Sequence, residues 1–193
     1  MYQTLSMTLV FLFVLSPIVR LVKPKNYRII LAIAILLITT LIPIQGLTST
    51  EYLSSYLGSL SITSVVLLVL ALMHIFGMPL QPSWQENKRL IMISISITFL
   101  GLYPLSLIDL SAFYPYALGY NCAFIPVLYL SLALIAVCYR HTYWPVFLLI
   151  TLICILYLMK QPIGDNFWNY LIDPFVGLYA LWYIFKNTIK RII

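Results

Sequence analysis

Apolar residues occur along this chain in long, almost uninterrupted runs. Six of the runs are 16 to 20 residues long: Thr4–Val22, Ile29–Ile44, Leu57–Phe76, Leu90–Ile108, Cys122–Tyr139 and Tyr143–Met159. An α-helix needs about 20 predominantly apolar residues to cross a hydrocarbon layer of roughly 30 Å. Each run therefore predicts one membrane-spanning helix.

The last apolar run, Pro174–Phe185, has only twelve residues, so its helix must borrow from the preceding segment Gly164–Phe175. If the helix begins near Phe167, Asp173 lies inside the apolar layer, where a carboxylate costs on the order of 3 kcal/mol without a partner. If it begins at Asp173, that residue is the N-cap and Pro174 the first helical residue. The second interpretation is favoured because capping alone explains an Asp-Pro pair. It predicts that Asn replaces Asp173 with little loss and that Ala costs about 1 kcal/mol.

Composition supports the membrane interpretation. Of the 193 residues, 63% are hydrophobic and 8% are charged, and the mean hydropathy is +1.02. Such a chain has too few polar residues to cover a water-soluble globule. The predicted fold class is all-α: a polytopic membrane helical bundle of about seven transmembrane helices, in a single domain over residues 1–193.

Charged residues divide between the two sides that seven crossings create. One side holds ten of the eleven basic residues: Arg20, Lys23, Lys25, Arg28, Lys88, Arg89, Arg140, Lys186, Lys190 and Arg191. The other side holds Lys160 and four of the five acids, namely Glu51, Asp109, Asp165 and Asp173. By the positive-inside rule, the N-terminus is outside and the C-terminus is cytoplasmic. The net charge of +6 then indicates attraction to anionic lipid and no nucleic-acid partner.

Candidate site residues gather on the predicted outer side, where two aromatic-rich segments, residues 110–121 and 164–173, are expected to meet. The candidates are Asp109, Tyr120, Asn121, Asp165, Asn166, Trp168 and Asp173. Ser94, Thr98 and Gly101 fall on one helical face and predict a helix-packing stripe of small residues. No catalytic residue is assigned, because no known catalytic motif occurs, and no metal site or cofactor is predicted.

Three functions fit this pattern. The favoured one is an integral membrane accessory or structural subunit that packs against a partner membrane protein and supports it. A small transporter or lipid-handling protein is the first alternative. The second is an outward-facing membrane enzyme that acts on lipid-linked substrates through its carboxylates. In each case membrane lipids are partners, and the expected location is a bacterial cytoplasmic (inner) membrane.

Overall fold

Helices make up nearly all of the structure, a computed structural model that describes residues 2–22, 25–44, 46–79, 82–107, 115–120, 123–160 and 163–192. The helices in this part of the chain are α1 Tyr2–Val14, α2 Ser16–Leu21, α3 Lys25–Leu41, α4 Ser49–Leu57, α5 Ile62–Ile75, α6 Pro82–Leu107, α7 Phe124–Tyr139, α8 Trp144–Leu158, α9 Phe167–Leu171 and α10 Pro174–Ile192. Two-residue strands, β1 Pro43–Ile44 and β2 Leu47–Thr48, pair antiparallel. The all-α class is confirmed.

Contacts group the chain into two compact units. The first comprises Met1–Leu60 and Val65–Leu80, and the second comprises Ser61–Ser64 and Gln81–Ile193. The boundary therefore falls within the first turns of α5. The single domain expected over residues 1–193 stays a prediction.

In the first unit, α1 packs against α3 and α4. Helix α1 ends early, at Val14, and α2 follows with Pro17 in its first turn. Backbone N–H groups in the first turn have no partner within the helix, so the missing N–H of proline removes no helical hydrogen bond there. This break is the disruption that the proline predicts. The hydroxyl of Tyr2 donates to the carbonyl of Leu60 at 2.7 Å, which ties the start of α1 to the segment after α4.

In the second unit, α10 packs along α6 and α7 packs against α8. Gly177 allows the first contact, because a Cβ atom there would overlap the ring of Phe99 on α6. The turn between α7 and α8 is one 3-10 turn, His141–Tyr143, as expected for a tight antiparallel pair. The short helix α9 packs against α8 and against a 3-10 turn at Pro115–Gly119.

Helix lengths differ from the predicted crossings. Among the described residues, one helical segment, His141–Leu158, is long and apolar enough to cross a membrane, with a mean hydropathy of 1.8. Four apolar helices are shorter than 18 residues: Tyr2–Val14, Tyr27–Leu41, Ile62–Ile75 and Phe124–Tyr139. The runs Thr4–Val22 and Leu57–Phe76 are longer than their helices, because Pro17 interrupts the first run and Ser61 caps a helix inside the second. In contrast, α3 and α6, with 17 and 26 residues, are longer than their runs.

Candidate functional site

Asp173 stands at the start of α10 in the geometry of an N-cap. Its Oδ1 accepts a hydrogen bond from the backbone N–H of Val176 at 2.9 Å. Helical structure is interrupted after Leu171, the last residue of α9, and Pro174 is the first residue of α10. The capping interpretation of the Asp-Pro pair is therefore correct.

The same carboxylate also serves a second helix. Its Oδ2 accepts from the backbone N–H of Ser61 at 2.8 Å, from the Ser61 hydroxyl at 2.9 Å and from the Ser64 hydroxyl at 2.5 Å. Ser61 immediately precedes α5, and its Oγ accepts from the Ser64 backbone N–H at 3.2 Å. Ser61 is thus the N-cap of α5. All of these groups lie within the second unit.

This arrangement reproduces a capping box with its carboxylate supplied from elsewhere in the chain. In the ordinary version at the start of α4, the backbone N–H and hydroxyl of Thr48 donate to Glu51 Oε2 at 2.7 and 2.8 Å, and the Glu51 N–H donates back to Thr48 Oγ1 at 3.3 Å. At α5 the third residue after the cap is Ser64, which has no carboxylate. Asp173, 109 residues further along the chain, takes the place of the missing Glu.

Burial distinguishes the two carboxylates. Asp173 is 6% exposed, whereas the Glu51 side chain lies at the surface. Within the described residues, the one ion pair joins Lys160 to Asp165 at 3.8 Å, with both side chains largely exposed. Asp173 is instead stabilised by four donors and by the positive ends of two helix dipoles, which favour a negative charge.

A second polar group connects the aromatic segments that the sequence predicted would meet. Tyr120 and Asn166 form an isolated antiparallel bridge between their backbones. Asn166 is 1% exposed. Its Oδ1 caps α9 by accepting a hydrogen bond from the backbone N–H of Trp168 at 3.0 Å. Its Nδ2 donates to the carbonyl of Tyr116 at 3.2 Å. The Tyr116 hydroxyl donates to Asn169 Oδ1 at 2.5 Å. Burial raises the pKa of the Tyr116 phenol, so this hydroxyl remains a donor.

The contact between the two aromatic segments is closely packed. A Cβ atom on Gly119 would overlap Asn166 Oδ1 and the indole of Trp168, so only glycine fits there. Beneath it, edge-to-face aromatic contacts join Phe167 to Trp168 and to Tyr157, with ring centroids 5.8 and 5.4 Å apart. Trp168 is buried and Phe167 is fully buried. Asn166, Phe167 and Trp168 are therefore part of a packed core, whereas Tyr120 stays exposed.

Of the remaining predicted site residues, one is described, and it joins neither cluster. Asp165 lies at the surface beside Lys160. Asp109 and Asn121 fall outside the described residues, so the structure says nothing about their approach to Asp173 or Tyr120.

Among the described residues, the predicted small-residue stripe on α6 is partly exposed. Ser94 is exposed, and Thr98 donates to the Ser94 carbonyl at 2.9 Å. No atom of the described residues lies within 4 Å of a Cβ atom placed on Gly101. The face of α6 that packs inside the chain carries larger residues, among them Met92 and Phe99.

Sequence reasoning missed three kinds of residue. Ser61 and Ser64 form a Ser-x-x-Ser pattern that by itself indicates no carboxylate partner. Gly119 has no local pattern that marks it as a close contact. The box at Thr48 and Glu51 does have the signature Thr-x-x-Glu, which predicts the start of α4 between the second and third apolar runs.

The chemistry available at these clusters is limited. Each Asp173 oxygen already accepts hydrogen bonds, and the neighbours of this carboxylate are donors with no cationic group among them. In the part of the chain that is described, no three His, Cys, Asp or Glu residues are grouped so as to hold a metal ion. What the geometry does achieve is to fasten the starts of two helices to one group.

Comparison of the chain with protein-family models, with curated proteins and with solved structures finds no match.

Proposed function

We propose that the chain is a multi-pass membrane protein, with its N-terminus outside and its C-terminus cytoplasmic, located in a bacterial cytoplasmic membrane. Support comes from helix faces that carry large apolar side chains at the surface. On α3 seven such residues are exposed: Ile29, Ile30, Ile33, Leu36, Leu37, Ile38 and Leu41. On α7 the exposed set is Phe124, Val127, Leu128, Leu132, Leu134, Ile135 and Tyr139. Continuous apolar surface of this kind is covered by lipid or by other proteins.

Within that membrane, the proposed role is a non-catalytic accessory subunit that packs against a partner protein and supports it. The observation that carries this proposal is how the buried polar groups are used. Asp173 and Asn166, the buried polar members of the candidate site, direct their hydrogen bonds to helix starts and to a turn. A catalytic or transport group needs free acceptor or donor capacity toward a substrate, whereas these groups build a rigid scaffold.

We infer that the small-residue stripe on α6 forms the interface with this partner. Small residues let helix backbones approach closely, and in membranes this packing drives helix association. Ser94, Thr98 and Gly101 offer such a surface, with open space at Gly101.

Purification in mild detergent tests the accessory role. A tagged wild-type chain is expected to retain a membrane protein in stoichiometric amount, and Gly101→Leu, which fills the stripe, is expected to lose it. Leu100→Phe enlarges the neighbouring exposed side chain on the same helix and is the matched control, which should retain the partner. A wild-type chain that purifies alone and monodisperse would contradict the proposal.

One observation favours the transporter alternative. Helical structure is interrupted before α5 and before α10, and the starts of both helices bind the same buried carboxylate, Asp173. Discontinuous helices whose N-termini face one polar site are typical of secondary transporters. Reaction with a water-soluble carbodiimide separates the two roles. Slow modification of Asp173 relative to exposed Asp165 favours a scaffold, whereas comparable rates would indicate water access and favour transport.

A further inference from the structure

The second unit contains an open cavity of about 460 Å³ beside the first turns of α6. Its walls come from α6 and from the turn between α7 and α8. The residues that matter below are Glu86, Arg89, Leu90, Ile93, Arg140 and Tyr143.

The cavity wall carries more positive than negative charge, which favours the binding of an anion. Two basic residues, Arg89 and Arg140, line it together with one acidic residue, Glu86. Neither arginine has an ion-pair partner among the residues described. Arginine presents a planar fork of donors that matches phosphate oxygens. Tyr143 also lines the cavity, and its side chain carries a hydroxyl that is able to donate.

Polarity changes along the cavity from one end to the other. Glu86 and Arg89 occupy one turn of α6, and Leu90 and Ile93 occupy the next turn on the same side. At about 1.5 Å per residue, the wall passes from charged to apolar within roughly 10 Å. A free phosphate ion would use only the charged end, whereas a phospholipid would place its phosphate there and its acyl chains along the apolar end.

The position of the cavity is fixed by buried polar and aromatic contacts. Asn87 is 2% exposed, and its Nδ2 donates to the carbonyls of Ser83 and Thr142, which joins α6 to the wall that carries Arg140. Trp84 packs edge-to-face on Trp144 with ring centroids 6.4 Å apart. Tryptophans concentrate at headgroup depth in membrane proteins, which is where a lipid phosphate lies.

We propose that this cavity binds the phosphate group of an anionic glycerophospholipid, with Arg89 and Arg140 as its ligands. The inference rests on the proposed membrane location, in which the cavity lies on the cytoplasmic side. Basic pockets between helices on that side suit anionic headgroups. Glu86 limits the site to a headgroup with a single negative charge, such as phosphatidylglycerol, because a second charge would approach its carboxylate.

Native mass spectrometry of the full chain in detergent tests the site with three probes: phosphatidylglycerol, phosphatidylcholine and inorganic phosphate. Wild type is expected to bind phosphatidylglycerol most tightly. Each Arg→Gln change should weaken that binding about fivefold, and the double variant Arg89→Gln/Arg140→Gln about 25-fold. Glu86→Gln should strengthen it, since the one repulsive group is removed.

The matched control, Arg20→Gln/Lys186→Gln, removes two positive charges from residues that do not line the cavity. Circular dichroism of every variant checks that helical content is unchanged. Retained lipid binding in this control supports a built site, whereas an equal loss in both double variants would show general surface attraction and overturn the proposal. Equal binding of inorganic phosphate at the same concentration would overturn the role of the apolar wall.

Failure of the proposed membrane location is read out separately, by alkaline carbonate extraction of membranes. A chain that stays in the membrane pellet but binds no phospholipid would overturn this inference alone. A chain released into the supernatant would overturn the membrane location and, with it, the lipid site.

Discussion

Replacing Asp173 by Asn removes one acceptor from a group that serves two helices. In one orientation the new amide NH₂ faces the Ser61 backbone N–H, and in the other it faces the Val176 backbone N–H. The hydroxyls of Ser61 and Ser64 can rotate to accept, but a backbone N–H cannot. Either orientation therefore leaves one buried donor without an acceptor.

The magnitude follows from that orphaned donor. A buried backbone N–H without a partner costs about 1–3 kcal/mol, and the remaining hydrogen bonds lose the strengthening that an ionised acceptor provides. We expect Asp173→Asn to lower the free energy of unfolding by about 2 kcal/mol. Asp173→Ala orphans both N–H groups and is expected to cost about 4 kcal/mol. The sequence alone predicted little loss for Asn, because it considered the cap of α10 and no second helix.

Thermal unfolding in detergent, followed by circular dichroism, measures the difference. For a chain of this size 1 kcal/mol corresponds to roughly 2–4 °C in Tm, so Asp173→Asn should lower Tm by roughly 4–8 °C. Glu51→Gln is the matched control, since it makes the same chemical change in an exposed capping box where water can satisfy the freed group. Its shift should be clearly smaller.

Two results would refute the reasoning. If Asp173→Asn melts like wild type, the hydrogen bonds to Ser61 and Ser64 contribute nothing and Asp173 is an ordinary cap of α10. If Glu51→Gln lowers Tm as much as Asp173→Asn, burial of the shared carboxylate is not what gives it its importance.

Two further predictions concern close packing and pH. In the same melting assay, Gly119→Ala should lower the free energy of unfolding by about 2 kcal/mol, because the added methyl group overlaps Asn166. Gly101→Ala should raise it by about 0.5–1 kcal/mol, because no described atom lies near the added methyl group and alanine favours a helix. Equal effects of the two changes would contradict the packing argument. Hydrogen bonds from the Thr48 backbone and hydroxyl hold the pKa of Glu51 below its ordinary value of 4.5. Since the pKa of Glu51 is lower in the folded state, the cap stabilises α4 at pH values above the unfolded-state pKa, and this stabilisation is lost as the pH falls through the folded-state pKa. An NMR titration of the Glu51 carboxyl carbon should give a midpoint below 4.5. A midpoint at or above 4.5 would contradict the prediction.

Local chemistry explains which features could be predicted from the sequence. Asp173 followed by Pro174 marks a helix start without knowledge of any other residue, and Pro17 marks a break in the first apolar run. The partners of Asp173 could not be predicted in this way, because Ser61 lies 112 residues earlier in the chain and carries no signal that it needs a carboxylate.

Helix packing shows the same limit. The sequence indicated Gly101 as the small residue of an interface, and the structure places the close approach at Gly177, against Phe99. Both glycines sit in apolar helices, and only the relative rotation of α6 and α10 decides which one faces a neighbour. The sequence predicted that the two aromatic segments meet, but the contacts of Asn166 with Tyr120 and Tyr116 depend on the short helix α9 and its cap.

Side-specific labelling of single cysteines tests the proposed membrane arrangement most directly. In a background with Cys122, Cys138 and Cys154 replaced by serine, Asp165→Cys and Lys186→Cys each present one exposed thiol, at the two ends of the last part of the chain. With a membrane-impermeant maleimide on intact cells, the account predicts labelling of Asp165→Cys from outside and of Lys186→Cys only after the membrane is opened. Labelling of both from the same side would contradict the crossing by α10 and the proposed orientation.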